Sequence, residues 1–223
     1  MWFVSKINFE LKILSPETHL KFLILHPKFM KLHFFFNFSE DIPEQFYSSE
    51  NHQLHKECSV CGSLLEDGIF FIEKAFRRTH DQSEFQLTFE YATCERCKND
   101  MLKSISKESF QNIQRFAMEM GGMPVPEDAG ETEIDMDYLL NHCIATGRPL
   151  EALNEYHLVG IFEGDKMIQL PMLYGESFIE EYAELLSEET KGFFDDFFNH
   201  ITILPPALTK ILEDEKPKRP VLF

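Results

Sequence analysis

Several features that would assign this chain to a familiar class are missing from its sequence. No run of about 18 apolar residues occurs among its 223 residues, so we expect no membrane-spanning helix. The opening residues, MWFVSKINFELKILS, lack the continuous apolar stretch and the small-residue cleavage site of a secretory signal. Five cysteines are a poor count for a disulfide framework, which a chain of this length does not need. We therefore expect a cytoplasmic protein in a reducing compartment.

Basic residues are also scarce. Lys and Arg number 21 against 38 Asp and Glu, which gives a formal net charge of -17. The imbalance is concentrated in residues 111–223, which hold 8 basic and 22 acidic residues. Because nucleic-acid affinity depends on Lys and Arg neutralising phosphates, this composition disfavours DNA or RNA as a general partner. Two interpretations stay open, a solvated acidic surface and a basic protein partner.

Motifs of the common enzyme classes are absent as well. The chain contains no phosphate-binding loop, no Gly-x-Gly-x-x-Gly, no nucleophile elbow and no Ser/His/Asp order. Its nine histidines include no His-x-x-x-His pair, so a second, histidine-based metal site is not expected. We accordingly expect no catalytic residues and predict that the protein is not an enzyme.

Four of the five cysteines form two Cys-x-x-Cys pairs, Cys58/Cys61 and Cys94/Cys97. Two thiolates at this spacing can bind one metal ion from a tight turn, and a second pair completes a tetrahedral site. Because the protein then supplies all four ligands, no coordination position remains for a water or a substrate. The spacing therefore predicts one structural zinc ion bound by these four residues.

The residues around the two pairs indicate how the pairs come together. The stretch KECSVCGSLL is typical of a zinc knuckle, in which Gly62 supplies a positive φ. Two β-rich runs, Gly68–Phe76 and Phe85–Tyr91, predict a hairpin. The stretch CERCKNDMLKSIS then places Cys94 and Cys97 at the first turn of a helix.

This order of knuckle, hairpin and helix resembles the treble-clef family of four-cysteine zinc modules, over residues 58–110. The chain also looks similar to uncharacterised bacterial proteins that carry such a module. The resemblance implies that the first pair lies on the knuckle and the second on the opening turn of the helix. It implies no single activity, since treble clefs occur in nucleases, ubiquitin ligases, DNA-binding proteins and inert scaffolds. A nuclease of this type needs a catalytic histidine near the end of the first hairpin strand, whereas Thr79-His80-Asp81 lies at the expected hairpin tip.

The second half of the chain is expected to repeat this unit without the metal. HCIATGRPL parallels ECSVCGSLL, and SEETKGFFDDFF parallels SKESFQNIQRFA at a constant offset of 81 residues. The positions of the four predicted ligands then correspond to Cys143, Thr146, Gly175 and Phe178. We predict an α+β fold of tandem treble-clef-like units (knuckle, β-hairpin, helix), the first zinc-bound and the second metal-free, with Cys143 as a small buried apolar residue. The alternative is a chance match, since pieces of any α+β chain can be aligned in this way.

We predict four regions along the chain. They are an N-terminal extension (1–57), the zinc-binding unit (58–120), a linker rich in Gly and Pro (121–137), and the metal-free unit with acidic helices and a C-terminal tail (138–223). Three interpretations of residues 1–29 are open: an accessory segment, a leader translated ahead of a start at Met30, or an ordinary strand and helix docked on the core. A strand is expected at Lys31–Phe38.

These observations favour a protein-interaction or scaffold module whose acidic C-terminal half meets another protein. The aromatic pairs Phe193-Phe194 and Phe197-Phe198 would contribute if exposed, although an apolar helix face with this spacing is more often part of a core. The first alternative is a zinc-finger nucleic-acid-binding or transcription-associated protein that uses the basic hairpin residues Arg77 and Arg78. The second alternative is a treble-clef metal-dependent hydrolase.

Overall fold

The structure is a computed structural model that describes residues 39–79, 84–119 and 135–201. Met30, the strand expected at Lys31–Phe38, the hairpin tip with His80 and the C-terminal tail lie outside the described residues. Within the described ranges, no helix combines the length and the apolar character needed to cross a membrane.

Six strands and five helices make up the described part of the chain. The strands are β1 (Glu40–Asp41), β2 (Ile69–Arg78), β3 (Phe85–Cys94), β4 (Glu155–Glu163), β5 (Lys166–Met167) and β6 (Met172–Gly175). The helices are α1 (Glu95–Lys103), α2 (Lys107–Glu119), α3 (Met136–Asn141), α4 (Glu176–Glu184) and α5 (Glu188–Ile201). The predicted combination of helices with an antiparallel sheet is confirmed.

All six strands belong to one antiparallel sheet, in the order β1-β5-β4-β2-β3, with β6 also paired to β4. β2 and β3 form the expected first hairpin, whose strands extend further than the sequence pattern indicated, to Arg78 and Cys94. β4 forms the second hairpin with β5 and β6, across a turn at Gly164. β2 also pairs with β4 from Ile69 to Arg77. The two hairpins therefore share one continuous sheet.

A loop closed by an isolated antiparallel bridge precedes each hairpin. The first knuckle, residues 57–64, is closed between Glu57 and Leu64, and the second knuckle, residues 142–149, between His142 and Pro149. Gly62 and Gly147 occupy the same place in the two loops, with φ values of 69° and 68°. These glycines allow the tight turn because a side chain is disfavoured at positive φ.

The two faces of the sheet are covered by different parts of the chain, because successive residues of a strand point to opposite sides. The face that carries Ile72 and Phe162 is covered by residues 42–46 and by the two knuckles. The opposite face carries Val159 and Tyr174 and is covered by helices and by the turn between α4 and α5, through Met101, Ile113, Phe178, Ile179, Tyr182, Leu186 and Phe194. The helix that follows Gly175 therefore packs its apolar side chains against the sheet.

Residues 40–47, which fall within the predicted N-terminal extension, are part of the fold and contribute Ile42 and Phe46 to its core. β1 pairs with β5 at the edge of the sheet, and the fully buried ring of Phe46 lies 5.0 Å from that of Phe162. Gly160 permits this approach, because a Cβ there would lie 2.8 Å from the Phe46 ring and 2.4 Å from the Phe162 ring. This part of the chain is thus an integral edge of the fold.

The turns that separate α1 from α2 and α4 from α5 contact one another reciprocally. Ser106 donates its backbone N–H to Thr190 Oγ1 at 3.0 Å, and Ser187 donates its backbone N–H to Ser109 Oγ at 2.8 Å. The donors are 81 residues apart, and so are the acceptors. The two helix pairs therefore meet through a local two-fold relationship.

Candidate metal centre

The first knuckle holds Cys58 and Cys61 in a tight hydrogen-bonded turn. The backbone N–H of Cys58 donates to Ser63 O, and that of Gly62 donates to Cys58 O, each at 2.8 Å. The turn returns on itself within a few residues because Gly62 adopts positive φ. Both thiols of the first pair are thereby presented from a single loop.

The second pair lies at the junction of β3 and α1, as the sequence predicts. Cys94 ends β3 and is the N-cap residue of α1, and Cys97 lies in the first turn of that helix. The first knuckle is fixed against this junction, since Ser59 donates its backbone N–H to Ala92 O at 2.8 Å. The backbone N–H of Cys94 also donates to Cys58 Sγ, at 3.4 Å. The strand end, helix start and knuckle therefore converge on one point.

The four sulfurs form a cluster of the size that a tetrahedral metal site requires. The Sγ atoms of Cys58, Cys61, Cys94 and Cys97 all lie within 4.8 Å of one another, and none of the four is in a disulfide. Cys61 Sγ lies 3.8 Å from Cys94 Sγ. Sulfurs bound to one ion at about 2.3 Å in a tetrahedron lie roughly 3.8 Å apart. The cluster can therefore hold a metal ion.

The thiols of the cluster differ in how readily they ionise. Hydrogen bonds with Ser63 lower the pKa of Cys61 to about 5, and the contact with Cys61 raises the pKa of Arg96. Burial raises the pKa of Cys94 and of Cys97. Four thiolates at this separation repel one another, so a bound cation is what allows all four to ionise together. The donor set thus suits a soft or borderline metal cation.

The positions that correspond to the ligands in the second half of the chain do not form such a site. Cys143 is buried, and the other three positions hold Thr146, Gly175 and Phe178. The backbone N–H of Gly175 donates to Cys143 Sγ at 3.3 Å. Among residues 39–79, 84–119 and 135–201, the four-cysteine cluster is the one group with the donors and spacing for a metal ion.

The basic hairpin residues are used within the fold. Arg77 Nε lies 3.4 Å from Glu155 Oε2. Arg78 donates from Nε to Leu153 O at 3.0 Å and from Nη2 to Glu151 O at 2.9 Å, and its guanidinium lies 4.3 Å from the Phe85 ring centroid. These contacts connect β2 to the first residue of β4 and to the segment that precedes it.

The aromatic residues of α5 pack inward. Phe194 is fully buried, and Phe193 and Phe197 are partly buried against the helix-covered face of the sheet. The interpretation of this face as core is confirmed for these three residues, whereas the side chain of Phe198 lies outside the described part of the structure.

A buried polar cluster that the sequence analysis did not predict lies between the sheet and the helices. Glu73, Tyr91, Lys98 and His157 are each at most 5% exposed. Glu73 contacts His157 Nδ1 through Oε1 at 2.8 Å and accepts a hydrogen bond from the Tyr91 hydroxyl through Oε2. Burial raises the pKa of Tyr91 and lowers the pKa of Lys98. A charged Glu73 inside the apolar run IFFIEKAF was the available signal.

No protein-family model, curated protein or solved structure matches this chain. The likeness of residues 58–110 to a treble clef consequently depends on the cysteine spacing and on the local geometry described above.

Proposed function

We propose that Cys58, Cys61, Cys94 and Cys97 bind one zinc ion, and that this ion serves folding rather than catalysis. The proposal is supported above all by the 3.8 Å separation of Cys61 Sγ and Cys94 Sγ, which is the edge of a zinc–thiolate tetrahedron. With four protein thiolates, the ion has no free position for a water or a substrate. The same donor set also suits iron, so the identity of the metal is part of the test.

The ion would tie the first knuckle to the junction of β3 and α1. Metal binding in structural zinc sites contributes roughly 10–16 kcal/mol at neutral pH, which is as large as the whole stability of a domain. Because β2 pairs with β4 along most of its length, loosening of the first hairpin would also uncover β4. Loss of the ion should therefore destabilise the whole sheet.

We also propose that the chain contains two treble-clef-like units, a zinc-bound unit at 58–120 and a metal-free unit at 138–223, joined by the linker 121–137. Each has a knuckle, a hairpin and two helices in the same order. The proposal is supported by equivalent hydrogen bonds: the backbone N–H of Cys94 donates to Cys58 Sγ, and that of Gly175 donates to Cys143 Sγ. In the second knuckle, the backbone N–H of Ile144 donates to Leu173 O at 2.8 Å. In the first knuckle, the backbone N–H of Ser59 donates to Ala92 O in the same way.

Leu153 would take the place of the metal in the second unit. Its Cδ2 lies 2.8 Å from the point where a Cβ on Gly175 would stand, and Cys143 Sγ lies 3.6 Å from the same point. Leu153 is almost completely buried and packs in the same apolar cluster as Cys143. Apolar packing would thus hold the second knuckle where zinc holds the first.

The function that this arrangement favours is that of a protein-interaction scaffold in a reducing compartment. A closed thiolate site stabilises a surface without performing chemistry, and the formal charge of -17 suits a basic protein partner. The nucleic-acid alternative has less support, because Arg77 and Arg78 are engaged with neighbouring residues of the fold. The hydrolase alternative has less support still, because a fully ligated metal offers no site for an activated water.

Metal analysis of the full chain, purified under reducing conditions, tests the zinc proposal. We expect one zinc per chain, and a chelator should lower the temperature of a single cooperative unfolding transition. Iron in place of zinc, or a metal-free sample with an unchanged transition, would refute the proposal.

An affinity pull-down from the native cell, repeated over a series of salt concentrations, tests the scaffold. A co-purifying protein whose capture weakens with salt is the expected result, since screening reduces attraction between opposite charges. Capture of nucleic acid instead, with binding lost on Arg77→Ala, would replace the scaffold by the first alternative.

A further inference from the structure

The four cysteines of the cluster differ in their exposure to solvent. Cys58 and Cys97 are 2% and 7% exposed, Cys94 is half-buried, and Cys61 is exposed. Oxidation of cysteine follows thiolate character and accessibility. A zinc-bound cysteine is a thiolate, so a small oxidant in solution meets Cys61 before it meets the other three.

The thiolate of Cys94 lies next to that of Cys61. Cys94 Sγ lies 3.8 Å away, and the two residues belong to different elements, the knuckle and the start of α1. A sulfur–sulfur bond of about 2.05 Å needs a modest approach of the two atoms. The alternative partner within the first pair, Cys58, is buried and accepts the backbone N–H of Cys94, which holds its sulfur in place.

We propose that Cys61 is a site of oxidative modification, at which hydrogen peroxide converts Cys61 and Cys94 into a disulfide and releases the zinc. The inference rests on the proposed zinc site. The Cys61 thiolate attacks one peroxide oxygen, the O–O bond breaks, and the departing hydroxide takes a proton from solvent to become water. Cys61 is then a sulfenic acid, Cys–SOH.

The Cys94 thiolate completes the reaction. It attacks the sulfenic sulfur of Cys61, an S–S bond forms, and hydroxide leaves and is protonated to a second water. The two sulfurs lose two electrons in all, which reduce one peroxide to two waters. The zinc ion keeps only Cys58 and Cys97 as ligands and dissociates into solvent.

Arg96 is positioned to assist at Cys61. This exposed residue lies between the two cysteines of the second pair, and its guanidinium contacts the Cys61 sulfur. A cation at this place attracts the peroxide oxygens and stabilises the hydroxide as it departs. Interactions between exposed charges are weak, so we expect Arg96 to change the rate only about two- to fivefold.

Peroxide treatment of the zinc-loaded full chain tests the inference. Zinc release is followed with a chromogenic chelator, and free thiols are alkylated at intervals for disulfide mapping by mass spectrometry. We expect zinc and the Cys61–Cys94 disulfide to appear together, while the buried Cys143 stays alkylatable after unfolding and serves as the internal control. Arg96→Gln should slow release about two- to fivefold, whereas Lys103→Gln, at the far end of α1, should not change it.

The outcomes separate this inference from the zinc proposal. A chain that holds no zinc before peroxide is added refutes both. A chain that holds one zinc, but forms a disulfide within either Cys-x-x-Cys pair or between Cys61 and Cys97, overturns the inference alone. Retention of zinc until Cys143 itself reacts also overturns the inference alone. An unchanged rate in Arg96→Gln overturns the role assigned to Arg96.

Discussion

Glu73 of β2 and His157 of β4 meet beneath the helices, with the carboxylate Oε1 2.8 Å from the imidazole Nδ1. Their side chains are 3% and 0% exposed. The contact links the first hairpin to the second across the strand pairing that joins them. Breaking a buried pair of this kind leaves its partner without compensation.

The first prediction concerns this pair. Glu73→Ala should lower the free energy of unfolding by about 3–5 kcal/mol, because His157 and Tyr91 lose their acceptor inside the core. Urea denaturation of the zinc-loaded protein measures the change. Asp100→Ala, which breaks the exposed ion pair between Lys103 and Asp100, is the matched control and should leave the midpoint nearly unchanged. Equal effects of the two substitutions would contradict the role of the buried pair.

The second prediction compares the two equivalent cysteines. Cys58→Ala removes a metal ligand, so the metal content should fall and the chain should lose most of its stability. Cys143→Ala removes a buried sulfur and the acceptor for the Gly175 N–H, which costs about 1–3 kcal/mol, and should keep one metal per chain. Metal analysis and thermal melting of both variants provide the measurement. A loss of metal in Cys143→Ala would show that the second knuckle takes part in the site.

The third prediction concerns the close packing at Gly160. A Cβ at this position would lie 2.4 Å and 2.8 Å from the Phe162 ring, so Gly160→Ala should cost about 1–3 kcal/mol through overpacking. The control is Gly192→Ala in α5, where no atom other than those of the adjoining residues and the nearby helix backbone lies within 4 Å of the added Cβ. That substitution should stabilise the helix by about 0.5–1 kcal/mol. If both variants melt alike, Phe46 does not pack over Gly160 as described.

The fourth prediction concerns acid stability and His55. Burial lowers the pKa of His55 below its usual 6.5, with Glu90 opposing the shift only in part. The Nε2 atom of His55 is buried without a hydrogen-bond partner among the described residues. Below about pH 6.5 the unfolded chain therefore binds a proton that the folded chain does not, so stability should fall as the pH is lowered.

Urea midpoints at about pH 7.5 and about pH 5.5, in excess zinc, measure the slope of stability against pH. The variant His55→Gln should show a smaller fall than the unmodified chain. Burial tends to raise the pKa of Glu90, but contacts with Ser49 and Lys74 outweigh it, so the pKa is lowered. The contribution of Glu90 is therefore lost only as the pH falls below its usual 4.5, outside this interval. An identical slope in His55→Gln would show that another group governs the acid response.

Much of the metal site follows from local sequence. The Cys-x-x-Cys spacing, Gly62 after the first pair and the helix pattern after the second pair all act within a few residues, so they could be recognised without a fold. The length of the hairpin strands was harder to predict from the sequence, because the strand pattern weakens at Arg77 and Arg78. Contacts of these two residues with Glu155 and Leu153 keep them in β2. Phe46 lay in a stretch without clear periodicity, and only its packing against Phe162 gave it a place in the core.

The sequence by itself determined which four side chains can bind a metal, because donor type and spacing are local properties of the chain. The tertiary structure decided how unequal those four are, since the exposure of Cys61 and the burial of Cys97 depend on how the knuckle lies against α1. It also brought Glu73 into contact with His157, although the two residues are 84 positions apart in the sequence. Such contacts arise from the pairing of β2 with β4, and no local pattern of residues encodes that pairing.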